Sequence, residues 1–227
     1  MKNIFFGLLG VVLACTLAFS GCGQTMLNYF ENNLSEIRHN IFEGQTTDYL
    51  ITFTSGQREA NYVLDGISGK KTNFGIVSVF PKNLAFAGSL EYEVRVNAKA
   101  YNGRLEQSPF DTTQSADIGT TVSDADTIVV IVTLNGQSQQ AELVCVSSGF
   151  VINSTKALQL AVAAVEPQLN TLLSGDKTTA ECYVKIISDP EKAIGVHYWF
   201  VSFINTQGAE LSVIIDPSSG NIAAKKL

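Results

Sequence analysis

The period of apolar and polar positions changes several times along this 227-residue chain. Behind an unbroken apolar stretch, Leu27, Phe30, Leu34, Ile37 and Ile41 recur at spacings of three, four, three and four. Glu31, Asn32, Glu36 and Arg38 lie between them. That rhythm predicts an amphipathic helix over residues 26–42. Its two heptads fall short of the roughly three or four that a coiled coil needs, so it is expected to pack on its own domain. From Thr47 the period becomes two. Residues 48–54 put Tyr49, Ile51 and Phe53 on one face, and residues 74–80 are β-branched and aromatic up to Pro81. Residues 90–99 read as one long strand, with Tyr92, Val94, Val96 and Ala98 on one side. Asn102-Gly103 and Asn135-Gly136 are hairpin signals, because both central residues of such a turn need positive φ. The second joins 127–134 to 137–146. About seven strands in about 100 residues predict an antiparallel β-sandwich of immunoglobulin-like size. The Cys…Trp…Cys core of immunoglobulin domains is absent, since the single tryptophan is Trp199.

At Ser154 the helical period returns, with Leu158, Val162, Val165, Leu169 and Leu172 on one stripe and Asn153 or Ser154 as the cap. Pro167 removes a backbone donor inside that run, so the helix either kinks there or stops near Val165. Gly175 ends the segment. Strands follow at 180–187, 196–204, 209–216 and 221–225, an antiparallel meander behind a helix. The fold class read from these patterns is mainly β with an α+β part. Residues 22–45 form a tether and amphipathic helix, 46–150 a β-sandwich domain and 151–227 an α+β domain.

The first 22 residues carry an address. Lys2 supplies a positive start, residues 4–19 an uncharged apolar core, and Ser20 and Gly21 small residues before Cys22. Leu17-Ala18-Phe19-Ser20-Gly21-Cys22 resembles the lipobox of bacterial lipoprotein signal peptides, although the family prefers Leu where this chain has Phe19. The resemblance implies loss of residues 1–21, a diacylglyceryl group on the Cys22 sulfur, and a protein held on the extracytoplasmic face of the cell membrane. Two acyl chains suffice for stable anchoring. Two other readings stay open: a poorer box ending at Cys15, and an uncleaved anchor helix slightly under the roughly 20 residues a span requires.

The last third carries a second resemblance. Lys156-Ala157-Leu158-Gln159-Leu160-Ala161, then Tyr198-Trp199-Phe200-Val201-Ser202-Phe203, then Val213-Ile214-Ile215-Asp216-Pro217-Ser218-Ser219-Gly220-Asn221-Ile222 resemble a PepSY-type module. That implies a cystatin-like fold, with a helix on a hairpin, and a role in binding or restraining peptidases. Asp216 and Gly220 also have a local reason: Asp bonds its own backbone in a turn, and Gly accepts positive φ.

Composition narrows the function. The chain is 45% hydrophobic, enough for real cores, with a formal net charge of −6 and a pI near 4.9. Loss of Lys2 would take the charge to −7. Such a protein gains nothing from counterion release on nucleic acid, so a nucleic-acid partner is excluded. Cys145 and Cys182 remain after export. One reading bridges them; the other makes them two small buried side chains. The two histidines, His39 and His197, fit no metal-ligand spacing, and no nucleophile elbow or phosphate loop is present; Gly66-Ile67-Ser68-Gly69-Lys70-Lys71 lacks the spacing. Asp117, Asp124 and Asp126 read as polar loop residues rather than a calcium site. No cofactor is expected. The expected role is non-enzymatic protein or peptide binding at the cell surface, with strand addition as one mode. The alternative is an envelope hydrolase whose acidic residues meet only in the fold.

Overall fold

The computed structural model describes residues 20–61, 63–83, 88–120, 122–172, 180–188 and 194–227. The apolar stretch over residues 4–19 that reads as an export signal, with Cys15, and the helix end assigned to Gly175 lie outside the described residues. Among the described residues the chain is mainly antiparallel β with two α-helices.

Helix α1 (Ser20–Asn32) ends where Asn33 turns back, its N–H donating to the Phe30 carbonyl at 3.1 Å. The chain then enters strand β1 (Leu34–Gln45). This corrects the helix expected to run to residue 42. The cause is a bulge. Leu34 pairs with Cys182 and Glu36 with Tyr183, so one extra residue, Ser35, sits between them. A regular strand would point residues three apart to opposite faces. The bulge lets Leu34 and Ile37 reach the same core. A helical spacing of three therefore conceals a bulged strand.

Strand β1 is also the joint of the molecule, and not a tether. Along one edge it pairs antiparallel with β2 (Tyr49–Glu59). Its other edge is shared. The first half runs parallel to β10 (Ala180–Ser188), and Phe42 and Glu43 in the second half pair with β9 (Gln137–Cys145). From β2 the sheet continues through β3 (Lys71–Pro81) and β7 (Gln114–Ile118) to the short β6 (Glu106–Gln107). A second sheet holds β5 (Lys99–Arg104), β4 (Glu91–Val96), β8 (Ile128–Leu134) and β9 in that order. Alternate residues of both sheets, Ile51, Phe53, Val77 and Val79 facing Val94, Ile128 and Val130, form one apolar core.

Two hairpin signals met different fates. Asn135 (φ 50°) and Gly136 (φ 82°) turn the chain between β8 and β9 as expected. Asn102-Gly103 does not turn. The expected long strand over 90–99 instead folds back at Asn97-Ala98, with Asn97 at φ 51°. Asn97 is held there by Asp126, whose Oδ1 accepts from its Nδ2 at 2.8 Å. Gly103 lies inside β5 opposite Tyr92, whose ring fills the space a side chain at position 103 would need.

A short 3-10 turn (Ser147–Gly149) leads to helix α2 (Ser154–Leu172). Asn153 caps it, its Oδ1 accepting the Lys156 N–H at 2.9 Å. The helix kinks at Val165 (φ −127°, ψ 17°), two residues before Pro167. Behind it, β10, β11 (His197–Asn205), β12 (Glu210–Ile215) and β13 (Ile222–Lys226) form the expected meander. The Asp216 turn is built as read: its Oδ1 accepts the Ser218 N–H, and Gly220 stands at φ 76°. Both helices cover one face of this meander, with Phe30, Leu158, Val162 and Leu169 packed on Val184, Trp199, Val201 and Val213.

The cysteine bridge is also corrected. Cys145 and Cys182 are free. Cys182 pairs with Leu34 and Cys145 with Phe42, eight positions apart along β1. At about 3.3 Å per residue, roughly 25 Å separates them, far beyond the 7 Å or so that a disulfide spans.

Candidate functional site

The helices take one side of the C-terminal sheet, and period-two alternation sends the other residues the opposite way. That side carries Ile187 beside Tyr198, Lys185 beside Phe200, and Ile204 and Ile214 on the neighbouring positions. All six are half-buried. Their small neighbours Ser202 and Ser212 are buried beneath them. On this face the described residues place two half-buried aromatic rings and three half-buried isoleucines.

Its rim is charged and ordered. Lys185 Nζ lies 3.2 Å from Glu36 Oε2 and 4.6 Å over the Tyr183 ring. Arg38 Nε donates to Glu36 Oε1 at 2.5 Å. The Arg38 and Arg58 guanidiniums stand 5.7 and 4.6 Å from the Phe74 ring centre, and Arg58 also pairs with Asp117. Burial pushes the Glu36 carboxyl up, but Arg38 and Lys185 outweigh it and hold the group below the usual carboxylate range. Burial lowers Lys185, and the neighbouring Arg38 adds to this against the pull of Glu36.

Two further polar clusters lie inside. Glu181, 1% exposed, accepts from the Ser35 hydroxyl and from the Gly66 N–H at 2.9 Å. Asn33 clamps the same loop, donating to the Gly66 carbonyl and accepting the Ser68 N–H, each at 2.7 Å. Burial raises the Glu181 carboxyl; the Gly66 N–H opposes this, and Glu59 and Asp65 reinforce it. The second cluster joins β1 to β11. His197 Nε2 lies 2.6 Å from Glu43 Oε1, with the two side chains 3% and 11% exposed. The Gly195 N–H donates to both Glu43 oxygens at 3.2 and 3.0 Å. A carboxylate only accepts, so this contact puts the proton on Nε2. The Phe150 ring packs 5.9 Å from the imidazole.

Local spacing could not have revealed either cluster. Glu43 and His197 are 154 residues apart, and Ser35 and Glu181 are 146 apart. Of the residues singled out by sequence, the Cys22 backbone lies in α1, and its side chain lies outside the described residues. Asp117 pairs with Arg58, and Asp126 holds Asn97 and the Ser123 N–H. Gly66 to Lys70 form the loop before β3 that Asn33 and Glu181 pin. Among the described residues, no three His, Cys, Asp or Glu side chains are grouped to hold a metal, and no helix is long and apolar enough to cross a membrane. No protein-family model, curated protein or solved structure matches the chain.

Proposed function

We propose that this is a lipid-anchored binding protein of the extracytoplasmic membrane face, attached through Cys22, and that it takes a protein or peptide on the open face of its C-terminal sheet. The observation that carries this reading is the half-buried set Ile187, Tyr198, Phe200, Ile204 and Ile214 opposite the helix-covered core. Aromatic residues at the centre of a charged rim are the usual composition of binding hot spots. The PepSY-like reading of residues 151–227 gains support from the helix on an antiparallel meander and from the Asp216 to Gly220 turn. The immunoglobulin-like reading of residues 46–150 gains support from two sheets enclosing one core.

The face is favoured over strand addition. The outer edge of the sheet is β13, and it is guarded: Lys226 pairs with Glu210, and Lys225 Nζ donates to the Ala164 carbonyl at 3.0 Å. Edge lysines of this kind oppose pairing with another strand.

The test uses immobilised Cys22→Ser protein and its Phe200→Glu variant against envelope extract, with a labelled palmitate analogue fed to cells expressing the unaltered chain. The reading expects a captured partner that is lost with Phe200→Glu, and label on the unaltered chain that is lost with Cys22→Ser. Equal capture by both proteins contradicts the binding face. Label that survives Cys22→Ser contradicts the anchor.

A further inference from the structure

The register of the long sheet brings one row of residues across the strands from β3 to β13. Phe74 lies opposite Gly56, Gly56 opposite Arg38, Arg38 opposite Lys185, Lys185 opposite Phe200, Phe200 opposite Ile214 and Ile214 opposite Ala224. Paired residues point to one side of a sheet, so this row belongs to the face that carries Tyr198 and Ile204. Its chemistry changes along the way. Arg38 and Lys185 stand side by side with side chains 26% and 23% exposed, and Arg58 is their neighbour across Glu36. From Phe200 to Ala224 the row is apolar.

The cationic end has donors to spare. Arg38 gives its Nε to Glu36, and Lys185 reaches the other oxygen of the same carboxylate. A guanidinium carries five N–H donors and an ammonium three, so among the described residues each cation keeps donors beyond that contact. Arg58 pairs with Asp117. Three cations thus meet two carboxylates in this cluster, within a chain of formal net charge −6. The cluster is also held in place. Both guanidiniums stand over the buried Phe74 ring, which lowers the cost of ordering them on binding. Spacing then fixes what fits. Neighbouring strands lie about 4.8 Å apart, so the midpoint between Arg38 and Lys185 is about 7 Å from Phe200 and about 12 Å from Ile214. An extended peptide carries its alternate side chains about 7 and about 13 Å along one side. We infer that the segment taken on this face is an extended acidic peptide laid across the strands. An Asp or Glu carboxylate sits on Arg38 and Lys185, and apolar side chains two and four residues away sit on Phe200 and Ile214. The inference rests on the reading of this face as a binding surface and adds the chemistry of its partner.

The test selects a displayed library of random peptides on immobilised Cys22→Ser protein and discards every clone that also binds its Phe200→Gln variant. That change is neutral, so it does not itself select on peptide charge; should it fold poorly, Ile214→Gln takes its place. The clones that remain depend on the face. They should share an Asp or Glu two residues from one apolar side chain and four from a second. Changing that acid to its amide in a synthetic copy should weaken binding about tenfold, the worth of one charge-assisted hydrogen bond. The contrast should shrink as salt rises. It should also shrink in Arg38→Gln protein and persist in Arg95→Gln protein, which is altered on the second sheet. Face-dependent clones without the acid, or an amide copy that binds as tightly, overturn the inference and leave the face standing. The absence of any face-dependent clone overturns both. Should Arg38→Gln fold poorly, the acid–amide contrast on the parent chain decides alone.

Discussion

Glu36 and Glu181 sit on adjacent strands and titrate in opposite senses. Glu36 is held below the ordinary glutamate value of 4.5 by its two cations, so the stability it contributes is present above that pH. That contribution is lost as pH falls through its depressed folded value. Glu181 is raised above 4.5 by burial, so its contribution is complete below that pH and is lost as pH rises through the elevated value. Glu181→Gln should therefore flatten the fall in stability between pH 4.5 and neutrality, whereas Glu36→Gln should flatten the loss on the acid side. Urea unfolding at a series of pH values measures both. Glu181→Ala is a harsher change. It strands the Ser35 hydroxyl and the Gly66 N–H, at about 1–3 kcal/mol for each buried group left unpaired. The cysteines give a second check at this scale. Burial raises the Cys182 thiol, while Cys145 is half-buried. A thiol reagent should modify Cys145 in the folded protein and Cys182 only after unfolding, and reduction should leave the mass unchanged.

At the scale of elements, β1 is where sequence and structure part. Strands β2, β3, β8 and β9, the meander and the Asn153 cap were legible, because each carries its own period or turn residues. Strand β1 was not, because two bulges, one at Ser35 and one between Arg38 and Asn40, break its period. The Asn102-Gly103 turn was misread for a related reason. Asn97 offers the positive φ a turn needs, and its contact with Asp126 is non-local. The sandwich faces Tyr49, Ile51, Phe53 and Val94, Val96, and the α2 stripe Leu158, Val162, Val165 and Leu169, could be read as core, whereas the two polar clusters join residues more than a hundred positions apart. Gly56 tests the bulged pairing. A Cβ there would lie 1.8 Å from the Ile37 carbonyl oxygen, across the β1–β2 ladder. Gly56→Ala should cost about 1–3 kcal/mol or more, while Gly119→Ala, with open space around it, should leave the melting temperature nearly unchanged.

At the scale of the molecule, one strand serves two cores. Ile41 packs in the helix-covered cluster, and Phe42, its neighbour, in the sandwich. The parallel β1–β10 pairing makes both units one continuous sheet. Unfolding followed by Trp199 fluorescence, which reports the C-terminal core, should therefore coincide with unfolding followed by far-ultraviolet circular dichroism, which reports the whole sheet. A fragment of residues 151–227 should not fold alone, because β10 loses its neighbour and the core loses Phe30 and Ile41.

Among the described residues, Ile187, Tyr198, Phe200, Ile204 and Ile214 stand half-buried on one face of the meander, and the proposed function depends on that face being a contact surface in the cell. A photo-crosslinking residue placed at Phe200 in the unaltered, membrane-attached chain tests this most directly, with Val129 on the outer face of the second sheet as the comparison. The account expects a discrete crosslinked species from position 200 that is absent from position 129 and is lost when Ile214→Asp is added. No species from position 200, or the same species from both positions, would contradict it.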